Sequence, residues 1–242
     1  CRNTSTSDTK NLFLEDRDGT RRHTATKDEL LWTIQLDMDC TAHLLSPTHL
    51  MTAAHCQPRV GTRGVAGADL VTQHIQPQYT SLQITKILEK SPEQQLDYVI
   101  AEISWQGGGK PADQRFPDLI ATSPSAVLMS RIANQGDEVF TVGFPQDANH
   151  GGFQKTAIYA SGRLKRATAT HVYYNIGTIN GNSGGPVYRK SDNMLVSLTN
   201  NGTAQFGMPG WDSSQKDDPE NWNFGAAMWV IYQQSTVLKD LF

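Results

Sequence analysis

Gly181-Asn182-Ser183-Gly184-Gly185-Pro186 leads directly into the short apolar run Pro186–Tyr188. Glycines on both sides of the serine permit a tight backbone turn that presents the hydroxyl and the main-chain N–H groups together. Outward from this turn, the chain from Leu30 onward consists of short apolar or alternating runs punctuated by Gly, Pro, Asn and Asp. The runs Leu31–Leu36, His43–Leu45, Leu50–Ala53, Ile84–Leu88, Tyr98–Ser104, Glu138–Gly143, Thr156–Ser161, His171–Ile176, Pro186–Tyr188, Met194–Thr199 and Ala226–Ile231 predict strands. Eleven short strands predict an all-β sandwich or barrel. The tail, Gln233–Leu241, places Val237 and Leu241 four apart and predicts a short closing helix.

Three stretches break the strand rhythm. Residues 1–28 are polar, rich in Ser, Thr, Asp, Arg and Lys, and predict an arm that buries little. Gln106–Ser125 carries three consecutive glycines and three prolines and predicts a connection between two β-rich halves. Gly207–Asn223 is longer than compact domains usually tolerate without a functional reason.

At 242 residues the chain is long enough to bury a sizeable core without covalent staples. With 21 Lys+Arg against 24 Asp+Glu and scattered basic residues, it offers no electrostatic footprint for a polyanion, so nucleic acid is not the expected partner. The richest apolar stretch, Ala226–Tyr232, is far short of the roughly 18 residues of a membrane span. No HExxH and no CxxC is present, which removes the usual zinc spacings, and no cofactor is expected. Glu15-Asp16-Arg17-Asp18-Gly19 is a calcium-loop fragment interrupted by Arg17, and it reads as solvated acids, as does the cluster Asp217, Asp218 and Glu220.

Nucleophilic catalysis needs an alcohol, an imidazole to deprotonate it, a carboxylate to orient the imidazole, and N–H donors for the oxyanion. A candidate exists for each part. Ser183 is the alcohol, and the amides of Gly181 and Ser183 are the donors. His55 ends the run Leu50–His55, beside two small alanines. Asp97 immediately precedes the strand run Tyr98–Ala101. Rival carboxylates are Asp69, in Gly67-Ala68-Asp69-Leu70, and Asp113 and Asp118, in the connecting segment.

Thr52-Ala53-Ala54-His55-Cys56, Leu96-Asp97-Tyr98-Val99-Ile100-Ala101-Glu102-Ile103 and Gly181–Pro186, in the order His, Asp, Ser, resemble the chymotrypsin-like (trypsin-like) serine peptidases. The resemblance covers Leu30 to Phe242. It implies two six-stranded antiparallel β-barrels, residues 29–115 carrying His55 and Asp97 and residues 116–242 carrying Ser183 and the C-terminal helix, with the active site in the cleft between them. It also implies a serine endopeptidase acting on protein or peptide substrates through an acyl-enzyme, and a Cys40–Cys56 disulfide bracing the loop that carries His55. Two free buried thiols are the other reading of those cysteines. A protease-like binding or inhibitory module is the alternative function.

Departures from trypsin narrow the reading. The sixth residue before Ser183 is Gly177 rather than Asp, which removes the basis for Arg/Lys specificity. The residue before Ser183 is the neutral Asn182, which excludes activation by an ion pair with a new N-terminus. Asn182, Thr178 and Thr141-Val142-Gly143-Phe144-Pro145 resemble the bacterial glutamyl endopeptidase branch, whose pocket binds a substrate glutamate. The run Leu195–Gly202 adds Ser197, Thr199 and Asn200 as pocket candidates, but has Thr199 or Asn200 where that branch has a histidine. A preference for glutamate, or for a small or polar side chain, is therefore expected. His171 either approaches the pocket or is an ordinary strand histidine. Arg21-Arg22 is either a propeptide cleavage site or a solvated basic pair, so a propeptide or inhibitor is a further expected partner. Cys1, before its Ser/Thr-rich arm, resembles the lipidated start of a bacterial lipoprotein, so the expected location is extracellular, with surface anchoring through Cys1 as one reading and a chain boundary or a bridge to another chain as others.

Overall fold

The run Tyr98-Val99-Ile100-Ala101 is apolar on both strand faces, as a strand covered on both sides must be. In a computed structural model, which describes residues 21–25, 29, 33–66, 81–106, 133–145, 157–178, 180–202 and 222–242, that is its position. Six antiparallel strands, β2 (Thr33–Leu36), β3 (Thr41–Ser46), β4 (His49–Ala53), β5 (Arg63–Ala66), β6 (Ser81–Ser91) and β7 (Tyr98–Trp105), close into a barrel in the order β2-β3-β4-β7-β6-β5. Leu50 of β4 and Ala101 and Ile103 of β7 fill its interior with Ile34, Leu36, Leu82 and Ile84. Their alternates, Met51, Tyr98 and Ile100, face out into the other core, so β4 and β7 form the wall shared between the two halves.

The second half is an eight-stranded antiparallel sheet. Its path is β12 (Leu195–Leu198), β11 (Pro186–Arg189), β8 (Glu138–Gly143), β9 (Ile158–Ala167), β10 (His171–Tyr174), β14 (Asn223–Ala226) and β13 (Asn201–Gly202), with β1 (Arg21–Thr24) also paired to β9. The sheet curls until its ends meet at a single bridge, Ser197 to Ala227, where the Ser197 hydroxyl donates to the Ala226 carbonyl at 2.8 Å. The all-β architecture and the six-stranded first barrel thus hold, whereas the second half is an eight-stranded half-barrel whose ends meet at one bridge rather than a second six-stranded barrel, because β1 and the two-residue β13 add to its sheet.

Two further expectations change. The run Ala226–Ile231 is not a strand: β14 ends at Ala226, and helix α1 (Met228–Gln234) begins two residues on, followed by α2 (Thr236–Leu241). A continuous apolar run fits a buried strand or a buried helix equally well, and here Met228 and Ile231, one turn apart, pack into the core. The polar arm contains β1, whose backbone pairs Arg21 with Ser161 and Arg22 with Ala160, so the Arg21–Arg22 peptide lies within a ladder. His23 stacks on Tyr159, with ring centroids 4.7 Å apart, and its Nε2 lies 3.0 Å from the Glu29 carboxylate. Cys1, the two acidic segments, Asp69, Asp113, Asp118 and nearly all of the 106–125 and 207–223 stretches lie outside the described residues.

Candidate active site

Antiparallel pairing of β4 and β7 decides where the acid and base sit. Ala53, the last residue of β4, is opposite Tyr98, the first of β7, so the chain leaving β4 and the chain entering β7 are side by side. His55 lies two residues past the first and Asp97 one residue before the second. Ala54–Cys56 is a single 3-10 turn, and Asp97 has φ 49°, a left-handed conformation that Asp adopts more readily than most residues. Its carboxylate faces the turn: Oδ1 accepts from the His55 backbone N–H at 2.8 Å, and Oδ2 lies 2.7 Å from the His55 ring Nδ1. Asp97 is buried, while the His55 side chain remains about a quarter exposed. The hydrogen bond to Asp97 raises the His55 pKa above its usual 6.5, burial opposes this, and the charges of Asp97 and Glu93 add to the rise.

The serine turn comes from the other half and docks on the same edge. Thr41, next to Cys40, donates its backbone N–H to the Ser183 carbonyl at 2.9 Å and its hydroxyl to the Gly181 carbonyl at 2.7 Å. The same hydroxyl accepts from the Phe144 N–H at 3.2 Å. Gly184 (φ +80°) lies so close to β3 and β4 that a Cβ there would meet Thr52 Oγ1 at 2.2 Å and the Ala53 N at 2.6 Å. Gly184 N–H donates to the Thr199 carbonyl at 2.6 Å, and Gly185 and Asn182 close the turn with a 2.8 Å bond. Among the described residues, no hydrogen bond engages the amide N–H of Gly181 or Ser183. The Cys40–Cys56 disulfide forms, with Cα atoms 6.3 Å apart, and Cys56 Sγ lies 3.8 Å from the Ser183 carbonyl oxygen.

The pocket candidates separate on inspection. Thr178 is buried, with its N–H donating to Ile176 O at 2.8 Å and its carbonyl accepting from Asn223 Nδ2 at 3.2 Å. Ser197 is fully buried and its hydroxyl is held by the Ala226 carbonyl. Thr199 uses its backbone on Gly184 and Gly185, and its side chain is buried. Asn200 faces Asp97: its Nδ2 donates to the Asp97 carbonyl at 2.7 Å and to Oδ2 at 3.1 Å, while its Oδ1 accepts from the Ala226 N–H at 2.7 Å. His171 is also on the Asp97 side, lining a cavity there, and burial lowers its pKa. Thr41 and the clamping role of Asn200 carry no local sequence signal, because each acts across more than 100 residues of chain. Among the described residues, no group of three or more His, Cys, Asp or Glu is placed to hold a metal.

This is a β fold of one closed barrel and one half-barrel, in which the first supplies an imidazole–carboxylate pair and the second seats a serine turn against it. The trypsin family model matches residues 20–213, and the chain belongs to that family. Solved structures give the same fold. A Glu endopeptidase aligns at 16% identity over 95% of this chain and 96% of that one, with TM-score 0.61. Human heparin binding protein aligns at 13% over 88% and 92%, with TM-score 0.63, and neuropsin, a serine protease expressed in the mouse brain, at 16% over 90% and 97%, with TM-score 0.62. No curated protein sequence gives a significant match.

Proposed function

We propose that the chain is a serine endopeptidase. Ser183 attacks the peptide carbonyl, His55 takes its proton and returns it to the leaving amine, and Asp97 holds the ring with Nδ1–H toward the carboxylate so that Nε2 is free to act. The amides of Gly181 and Ser183 stabilise the oxyanion. The observation that carries this reading is the 2.7 Å contact between His55 Nδ1 and Asp97 Oδ2, with Asn200 bonding the same oxygen. Three groups converge on one carboxylate, an arrangement that fixes a ring rather than merely burying a charge.

At the cleaved bond the reading is a glutamate or a small or polar side chain, not Arg or Lys. Support comes from Gly177 in place of an acid and from the uncharged set Thr178, Ser197 and Thr199. A substrate glutamate would leave water expensively without a cation in its pocket. The disulfide fits an oxidising, extracellular setting. Among the described residues, no helix is long and apolar enough to cross a membrane.

The likeness to a protein named for binding heparin carries the second reading, a binding module on the same fold. Incubation with an unfolded protein substrate distinguishes them. The proposal expects cleavage, abolished in Ser183→Ala and lowered by several orders of magnitude in His55→Ala. Folded protein that cleaves nothing, or His55→Ala with near-native activity, contradicts it.

A further inference from the structure

A cavity of about 250 Å³ lies beside the acid–base pair, lined by Glu93, Gln94, Asp97, His171, Asn200 and Phe224. It is smaller than the roughly 300–1,000 Å³ of drug-sized ligand sites, which suits one side chain of a bound peptide. Asn200, one of the lining residues, leads directly into β13, the strand at the end of its sheet's path, and a sheet-end strand is the kind of element to which an extended peptide can add.

The lining is electrically one-sided. Glu93 and Asp97 contribute two carboxylates, Gln94 and Asn200 are neutral amides, and no Lys or Arg lines the cavity among the described residues. His171 adds no standing cation at neutral pH: burial lowers its pKa, and its Nδ1 is 2.8 Å from the Thr170 hydroxyl. Asp97 is engaged by His55 and Asn200, whereas Glu93 stands on the exposed turn before β7, close enough for its charge to act on His55. Phe224 supplies an aromatic wall, in edge contact with His171 at 5.8 Å and packed on Tyr173 at 5.4 Å. The same strip already holds one cation on an aromatic face, Arg166 over Tyr173 at 4.3 Å. A cavity lined by both a carboxylate and an aromatic ring is an environment that takes a guanidinium or ammonium group on a hydrocarbon stem.

From this juxtaposition we infer that the cavity is a secondary specificity site for a basic side chain of the substrate, with Glu93 as the selecting residue. The inference rests on the peptidase reading and adds a substrate class to it. The protein acts on peptides that carry Arg or Lys near, but not at, the bond cut. An acidic side chain in the same place meets two like charges and is rejected.

The test uses binding, so it does not depend on turnover. Fluorescein-labelled blocked hexapeptides carrying a single Arg, Gln or Glu at each position are titrated against the Ser183→Ala protein by anisotropy. At one position Arg binds about tenfold tighter than Glu, an opposite-charge against like-charge contrast at a partly exposed site. In Ser183→Ala/Glu93→Gln the ratio falls below about threefold. In Ser183→Ala/Glu102→Gln, an exposed acid on β7 outside the cavity lining, it is retained. Equal melting temperatures of the variants show that Glu93→Gln is folded. No position that favours Arg, or a preference that survives Glu93→Gln, overturns the inference. Wild-type protein is given the same peptides separately: if it cleaves none while the Glu93-dependent preference persists, the peptidase reading fails and the basic-side-chain site stands.

Discussion

Replacing Gly184 by alanine tests how closely the serine turn is seated on the first barrel. The added Cβ would lie 2.2 Å from Thr52 Oγ1, 2.4 Å from the Thr41 carbonyl and 2.6 Å from the Ala53 nitrogen, and two of those three atoms are backbone. Neither β3 nor β4 can retreat without disturbing a closed ladder, so the turn must move. Gly136 provides an internal control, since its φ is +93° and a Cβ there meets nothing within 4 Å. Both substitutions incur left-handed strain of about 1–2 kcal/mol. Only Gly184→Ala adds overpacking, about 1–3 kcal/mol, and loosens the Gly184–Thr199 and Thr41–Ser183 bonds, about 1 kcal/mol each. The predicted loss is therefore about 1–2 kcal/mol for Gly136→Ala and about 4–7 kcal/mol for Gly184→Ala. Urea denaturation followed by tryptophan fluorescence, with coincident circular dichroism to check two-state behaviour, measures both. Any Gly184→Ala protein that folds should acylate at least about 100-fold more slowly, because the nucleophile is displaced by the order of an ångström. Equal losses of stability in the two variants, or an unchanged acylation rate in Gly184→Ala, would refute the seating of Ser183 on Thr41 and Thr52.

Other consequences follow from neighbouring contacts. Asp97→Asn should lower kcat by about 10⁴-fold and move the acidic limb of the pH–rate profile downward, because Asp97 is the main cause of the raised His55 pKa and the ring must be neutral to act as base. The stability difference between wild type and Asp97→Asn should be largest below pH 6.5 and shrink as pH rises through the elevated His55 pKa. Cys40→Ser/Cys56→Ser opens a loop of sequence separation 16 and should cost about 3 kcal/mol in the same denaturation assay. Glu89 holds the start of α2, accepting from the Thr236 and Val237 N–H groups at 3.0 and 3.3 Å and from the Tyr98 hydroxyl. Glu89→Gln should lower stability by about 1 kcal/mol at neutral pH. Burial opposes ionisation of Glu89, but its hydrogen bonds outweigh this and lower its pKa, so the difference should fade as pH drops below 4.5 through the depressed value.

Residues whose placement is set by their immediate neighbours are legible in the sequence. Glu138–Gly143 alternates β-branched and aromatic residues after Gly136-Asp137, and the strand has those bounds. His55 and Asp97 were legible because strand ends place them, and the pairing of Ala53 with Tyr98 brings the two ends together. Strand β5, Arg63-Gly64-Val65-Ala66, was not legible, because its conformation comes from closing the barrel between β2 and β6 rather than from propensity. Strand β1 was hidden for the same reason: Arg21-Arg22-His23-Thr24 is polar and is extended only because the edge of β9 pairs with it. The place of Asn200 in the strand run predicts a pocket residue, and its partners, Asp97 and Ala226, are set by how the two halves meet and have no local signal.

Labelling of the native protein with a fluorophosphonate, read by intact mass and peptide mapping, tests the central claim most directly. A serine activated by His55 and Asp97 should take up one adduct per chain at Ser183, and His55→Ala should abolish the uptake. Folded protein with an unreactive Ser183, or an adduct that persists in His55→Ala, would contradict the account.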